Sequence, residues 1–158
     1  MLVSGGAKRL GAAIARELHG AGADIVVHYH RSRPAAEALV AELEATRPGS
    51  AMAACADLLD LDRLASLVEA ALARFGRLDV LVNNASTFYP TPIGDITPAQ
   101  FEDLIGTNLR APLFLSQAAA PALRQSRGLI LNMVDNHARR PLQGHPVYCA
   151  AKAALPML

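Results

Sequence analysis

The 158-residue chain has no tryptophan, seven aromatic residues (four Phe, three Tyr), two cysteines and almost no net charge. Cys55 and Cys149 lack metal-type spacing, which argues against a zinc site or a disulfide framework. Both are expected to be reduced, buried small hydrophobes in a cytoplasmic protein. Fifteen Lys and Arg against fourteen Asp and Glu leave +1, so no electrostatic footprint points to nucleic acid or an anionic membrane. No charge-free apolar stretch approaches the roughly 18 residues of a membrane span, and the N-terminus lacks a signal peptide's layout. Repeats, low-complexity tracts and linkers are also missing. What is abundant is apolar: 52% of residues, rich in Ala, Leu and Val. That suits one buried core wrapped by helices, a single domain over residues 1–158.

Short β-rich runs alternate with helical periodicity. Strands are expected at Met1–Ser4, Asp24–Tyr29, Ser50–Ala56, Asp79–Asn83 and Gly128–Val134. Helices are expected at Leu10–Gly20, Ala35–Thr46 and Leu61–Phe75, from Pro98 to about Ser126, and from near Pro146 onward. Thr97, Pro98 and Gln100 form a helix start: N-cap, proline at the first position and a capping-box partner. Strands separated by helices require right-handed crossovers and parallel pairing, hence a Rossmann-type doubly wound α/β sheet in three layers. Asn84–Ile96 and Asp135–His145 are long connections that follow strands. They therefore lie at the carboxyl edge, where open α/β sheets bind ligands. They carry Phe88, Tyr89, Asp135 and His145, and two of the seven aromatics falling together favours a ligand role.

Val3–Gly11 reads VSGGAKRLG and joins the first strand to the first helix. Glycine allows close backbone approach, and a helix N-terminus offers free N–H groups to a pyrophosphate. Gly5 and Gly11 fit a Gly-x-x-x-Gly-x-Gly spacing, but Arg9 fills the middle glycine position, its guanidinium aimed at phosphates or ligand. About 20 residues past such a turn, an acid selects NAD, whereas a basic residue accommodates a 2′-phosphate. His30, Arg31 and Ser32 stand there, a set that suits phosphate and favours NADP(H), although a solvated basic loop has the same composition. His28 and His30 share a strand face without an accompanying carboxylate or thiol, so no metal is expected. Asp57, followed by Leu58, could meet an adenine amino group or simply open a helix.

Tyr148 and Lys152 are four residues apart and share a helical face. An ammonium at about 4 Å favours a phenolate by roughly 4 kcal/mol at an effective dielectric of 20, before desolvation opposes it. Such a pair is an acid/base device for reducing C=O or C=N. Pro112 removes the N–H that would bond the carbonyl of Asn108, so the long helix should kink there. The freed carbonyl could hold a relay water, or the kink could simply be tolerated in a buried helix.

Together SGGAKRLG, ADL at Ala56–Leu58, NNA at Asn83–Ala85, Asn108 and Tyr148-x-x-x-Lys152 resemble the short-chain dehydrogenase/reductase family over nearly the whole chain. Arg9, HYHRS at His28–Ser32, NNASTFYPTP at Asn83–Pro92 and NMVD at Asn132–Asp135 are similar to the pteridine reductases and the bacterial dihydromonapterin/dihydrofolate reductase-like enzymes. The resemblance implies that Tyr148 donates a proton, Lys152 lowers its pKa and holds the nicotinamide ribose, and Asn108 supports the relay. Asp135, a serine in most of the family, would assist protonation of a pterin; as a bare residue it reads equally as a loop cap. Phe88 would stack the pterin, and Ser86 and Arg9 would bond pterin or phosphates. Leu10, Asn84 and Ala85 fall within the cofactor-binding motifs.

Relative to the family pattern, the first strand lacks its preceding residues and the chain ends ten residues after Tyr148. The expectation is therefore a fragment or truncated product, lacking the family's C-terminal strands, with an exposed edge beyond the fifth strand prone to association. The full-length form is expected to be a homo-oligomer. Pro156 sits awkwardly in the last helix. Three functions follow: an NADPH-dependent reductase of pterin or dihydrofolate-type substrates, a ketone or 3-oxoacyl reductase, or a catalytically incomplete dinucleotide-binding fragment. Arg9 and Asp135 argue against the ketone.

Overall fold

A computed structural model describes residues 1–158. Five parallel strands, β1 (Leu2–Val3), β2 (Ile25–Tyr29), β3 (Ala51–Cys55), β4 (Val80–Asn83) and β5 (Leu129–Asn132), lie in the order β3-β2-β1-β4-β5. The switch in direction of winding falls between β1 and β4, which places a ligand crevice at their carboxyl ends. Helices α1 (Arg9–Gly20) and α2 (Arg33–Thr46) cover one face, and α3 (Leu64–Phe75) and α5 (Ala111–Ser126) the other.

Alternation along the strands explains the three layers. Leu2, Val26 and Leu81 point to one side, onto Leu64, Leu67, Val68, Leu115 and Leu123. Val3, Val27, Val80 and Val82 point to the other, onto Ala12, Ala15, Ala36, Leu39 and Leu43. Strands buried on both faces read as continuous apolar runs, as β2 and β4 do. Several elements are shorter than expected. β1 ends at Val3 because Gly5 turns the chain at φ 60°, although Ser4 N–H still donates to the Val82 carbonyl at 3.0 Å. β5 ends at Asn132 rather than Val134 and forms the sheet edge, with Leu129, Ile130 and Leu131 exposed.

The helix expected to run from Pro98 to Ser126 is interrupted. α4 (Pro98–Ile105) starts with the expected capping box at Thr97 and Gln100. A π-helical turn (Gly106–Arg110) then leads into α5. Ala111 N–H reaches back to the Gly106 carbonyl, so the expected disturbance takes the form of a wider turn just ahead of Pro112. α6 (Pro146–Ala154) stops before Pro156, which lies in a 3₁₀ turn and disturbs no helix. Both cysteines are free; Cys149 is buried, but Cys55, expected inside, is exposed at the end of β3. No helix is long and apolar enough to cross a membrane.

Candidate active site

The glycine turn is built to bring backbones together. A Cβ on Gly5 would lie 2.9 Å from the Ala85 Cα, and one on Gly11 would run into the Gly5 carbonyl and lie 2.6 Å from Asn84 Nδ2. Arg9 has left-handed backbone (φ 50°), the conformation that makes glycine usual here. The Asn84 amide donates to the carbonyls of Ser4 and Gly5, while the Ser4 hydroxyl accepts from the N–H groups of Asn84 and Ala85. The two loops are thereby fastened into one edge.

Buried His28 completes the clamp. Gly5 N–H donates to Nδ1 at 3.0 Å, so Nε2 carries the proton and donates to the Ala56 carbonyl at 3.1 Å. Burial pushes its pKa down to about 4. No group of three or more His, Cys, Asp or Glu side chains is arranged to hold a metal.

Between these pieces lies a cleft of about 530 Å³ lined by Gly5, Lys8, Arg9, Leu10, Gly11, Asn84, Ala85, Ser86 and Thr107. A second, of about 350 Å³, is lined by His30, Arg31, Asp57, Leu58, Leu59, Thr87, Asp103 and Thr107. Thr107 walls both, so they lie side by side along the carboxyl edge. The N-terminus of α1 has no side-chain cap, and neither does that of α2, where Ser32 is the N-cap residue with no capping bond. Glycines that admit no Cβ, an uncapped helix start and paired clefts fit a dinucleotide. Arg31 is exposed and makes no ion pair, whereas His30 lies 3.8 Å from Asp57. Asp57 does part of what a helix-entry aspartate does: Oδ1 accepts from Leu59 N–H, leaving Oδ2 facing the cleft-lining His30.

The opposite end is assembled by side chains. The Tyr148 hydroxyl donates to Asp135 Oδ2 at 2.8 Å, and Asp135 Oδ1 caps its own loop by accepting from His137 N–H at 2.8 Å. One carboxylate thus caps its loop, as a bare aspartate there was expected to, and also holds the phenol. The His137 bond, with Tyr148 and Lys152 adding to it, holds Asp135 below its usual pKa. Phe88 meets the Tyr148 ring edge-on at 4.8 Å and stacks on His145 at 4.7 Å, 8° from parallel.

Two expectations are corrected here. Lys152 does not acidify Tyr148: burial, then the Asp135 carboxylate, pushes the phenol up to about 12. The Lys152 ammonium lies 5.9 Å from the phenol ring centroid and donates to the Met133 carbonyl, away from the hydroxyl. Desolvation lowers its own pKa. Tyr89, expected to face the ligand, packs beside Leu104 and Val147, its hydroxyl donating to Asp103 Oδ2.

Asn108 spans the gap between the ends. Its amide donates to the carbonyls of Thr87 and Leu104, both at 2.9 Å, and its Oδ1 accepts from the Ser86 hydroxyl at 2.6 Å. Ser86 lines the larger cleft, so its bond ties Asn108 to the cleft wall. Residues singled out over the whole chain therefore converge on one edge. Ser4, His28 and Thr107 were not expected among them, and His145 was expected only as a residue of the ligand-edge loop. Ser4 and His28 lie inside quoted motifs, but only their contacts reveal the clamp.

The short chain dehydrogenase family profile matches residues 1–158. Pteridine reductase 1 of Leishmania tarentolae is 39% identical over 192 aligned residues, covering 98% of this chain and 66% of that protein. L-xylulose reductase of Bos taurus is 35% identical, covering 99% and 61% respectively. Versicolorin reductase of Emericella nidulans is 33% identical, covering 98% and 58%. The chain thus spans about three fifths to two thirds of the length of these relatives. With the profile matched from first residue to last, on a five-stranded parallel sheet, the chain belongs to the short-chain dehydrogenase family.

Proposed function

We propose that the protein is an NADPH-dependent reductase of pterin or dihydrofolate-type substrates, with Tyr148 as proton donor. The observation that carries this reading is the Tyr148–Asp135 hydrogen bond beside the Phe88 ring. Similarity to a pteridine reductase supports it.

Gly5, Arg9, Leu10, Gly11, Asn84, Ala85 and Ser86 would hold the pyrophosphate and nicotinamide half of the cofactor, and Asp57 and Leu58 the adenine. His30, Arg31 and Ser32 would take the 2′-phosphate: an unpaired guanidinium, an imidazole and an unspent hydroxyl beside a helix N-terminus suit a dianion. Bound NADPH supplies the hydride. Lys152, four residues from Tyr148, would hold the nicotinamide ribose.

The substrate ring would lie on Phe88, with Arg9 and Ser86 bonding its polar rim. Tyr148, protonated throughout the neutral range, delivers its proton to the ring nitrogen. A phenolate left beside ionised Asp135 is unfavourable, so resupply must be quick. Ser86 and Asn108 offer the adjoining polar path. Asp135 holds the phenol oxygen in place until the O–H swings from the carboxylate to the ring nitrogen, and the freed Oδ2 would then accept from the pterin amino group.

A ketone substrate on the same machinery is the second reading, favoured by similarity to reductases whose names specify xylulose and versicolorin. NADPH oxidation with 7,8-dihydrobiopterin against a 3-oxoacyl thioester separates the two. Preference for the pterin is expected, and preference for the thioester removes the assignment.

A further inference from the structure

His145 has no part in the proton path, yet it makes the closest ring stack in the molecule. Its imidazole lies 4.7 Å from the Phe88 ring and 8° from parallel, while Phe88 remains 54% exposed. Three backbone features brace the pair. Thr91 N–H donates to the Gly144 carbonyl at 2.7 Å, tying the loop of Phe88 to the loop of His145. Gly144 itself turns at φ 74°, a left-handed conformation that an L side chain resists. The His145 carbonyl accepts from Cys149 N–H at 3.0 Å, which anchors it in the first turn of the helix carrying Tyr148 and Lys152.

The ring's rotation is also set. Nδ1 lies 2.9 Å from the Gln143 carbonyl, which can only accept, so Nδ1 bears the proton. Phe88 touches two rings only, one edge-on (Tyr148) and one flat (His145). The flat contact is the one that defines orientation.

We propose that His145 is a substrate-positioning residue: its imidazole backs Phe88, so that the uncovered part of the phenyl ring meets a flat heteroaromatic substrate at a fixed angle to the Tyr148 hydroxyl. This rests on the pterin reading above and extends it to a residue that neither donates nor accepts the transferred proton. A stacked pair of this kind is a specificity device, since it rewards a planar ring and not a flexible ketone.

The test is the binding of 7,8-dihydrobiopterin by calorimetry in the presence of NADP⁺, together with NADPH affinity, in His145→Ala, His145→Leu and His145→Phe. Loss of one stacking partner should weaken pterin binding roughly 3- to 10-fold in the Ala and Leu variants, with His145→Phe within about twofold of wild type. NADPH affinity should be the same in all, which also reports correct folding. If Leu restores binding as well as Phe, the side chain only fills space and the proposal falls. Wild-type-like pterin binding by His145→Ala overturns it too. A wild-type protein that binds NADPH but no pterin removes the pterin reading itself, and this inference with it.

Discussion

The two halves of the carboxyl edge are made by different means. On the glycine-turn side, close approach is backbone on backbone: Gly5 against Ala85, Gly11 against the Gly5 carbonyl, with His28 and Ser4 as fixed clamps beneath. On the Tyr148 side, two long loops meet through side chains: a phenol on a carboxylate, a phenyl on an imidazole, an amide on two carbonyls. A backbone-made site tolerates no added atom but reads the same whatever surrounds it. A side-chain-made site depends on each neighbour, and there the pKa values move most usefully. The first half suits an invariant carrier, the second a variable substrate.

The largest effect expected is on the side-chain half. Tyr148→Phe keeps the ring against Phe88 but removes the proton, and turnover should fall roughly 10²- to 10⁴-fold with NADPH affinity unchanged, as stopped-flow and binding titration would report. Smaller loss would mean that another group donates.

The backbone half should break through pH instead. His28 is neutral in the folded protein down to about pH 4, whereas an unfolded histidine titrates near 6.5. Its contribution is complete above 6.5. As pH falls toward 4, the unfolded chain takes up a proton that the native state refuses, so stability drops by up to about 3 kcal/mol. Urea midpoints between pH 7 and pH 4.5 should show this slope, and His28→Gln should flatten it.

Gly11→Ala tests the same half by sterics. Its Cβ meets backbone and the Asn84 amide, so a loss of roughly 1–3 kcal/mol in stability is expected, with weakened NADPH binding, by denaturation and titration. Last, Arg31→Asp should weaken NADPH about tenfold more than NADH, the worth of one charge-assisted contact. Equal loss with both would contradict the phosphate role.

The same division explains what could be read from the sequence. The strands, their crossovers and the Thr97 capping box follow from alternation and spacing, which are local, and all appear in the fold. The glycine turn was legible for the same reason: Gly5 and Gly11 announce backbone contact wherever it falls. Spacing also placed Tyr148 and Lys152 on one helix, but not the direction of either head group. Lys152 turns to the Met133 carbonyl, and burial with Asp135 governs the phenol, so its pKa moves opposite to the expected direction. Tyr89 shows that an aromatic in a ligand loop can also pin that loop, as it does onto Asp103. Pro112 signalled a disturbed helix, but the π turn that accommodates it depends on Ala111 bonding Gly106. His145 was legible as a residue of a ligand-edge loop, but not its partner; only the folded loops bring it onto Phe88.

The central claim is that Asp135, bonded to Tyr148 where the family commonly has serine, directs this site to a pterin. The direct measurement is the ratio of kcat/KM for 7,8-dihydrobiopterin to that for a ketone with NADPH, in wild type and Asp135→Ser. The ratio should favour the pterin in wild type and fall at least about tenfold in the variant, as expected for a lost hydrogen bond to a charged group, with ketone turnover retained. An unchanged ratio, or a wild-type preference for the ketone, would contradict the account.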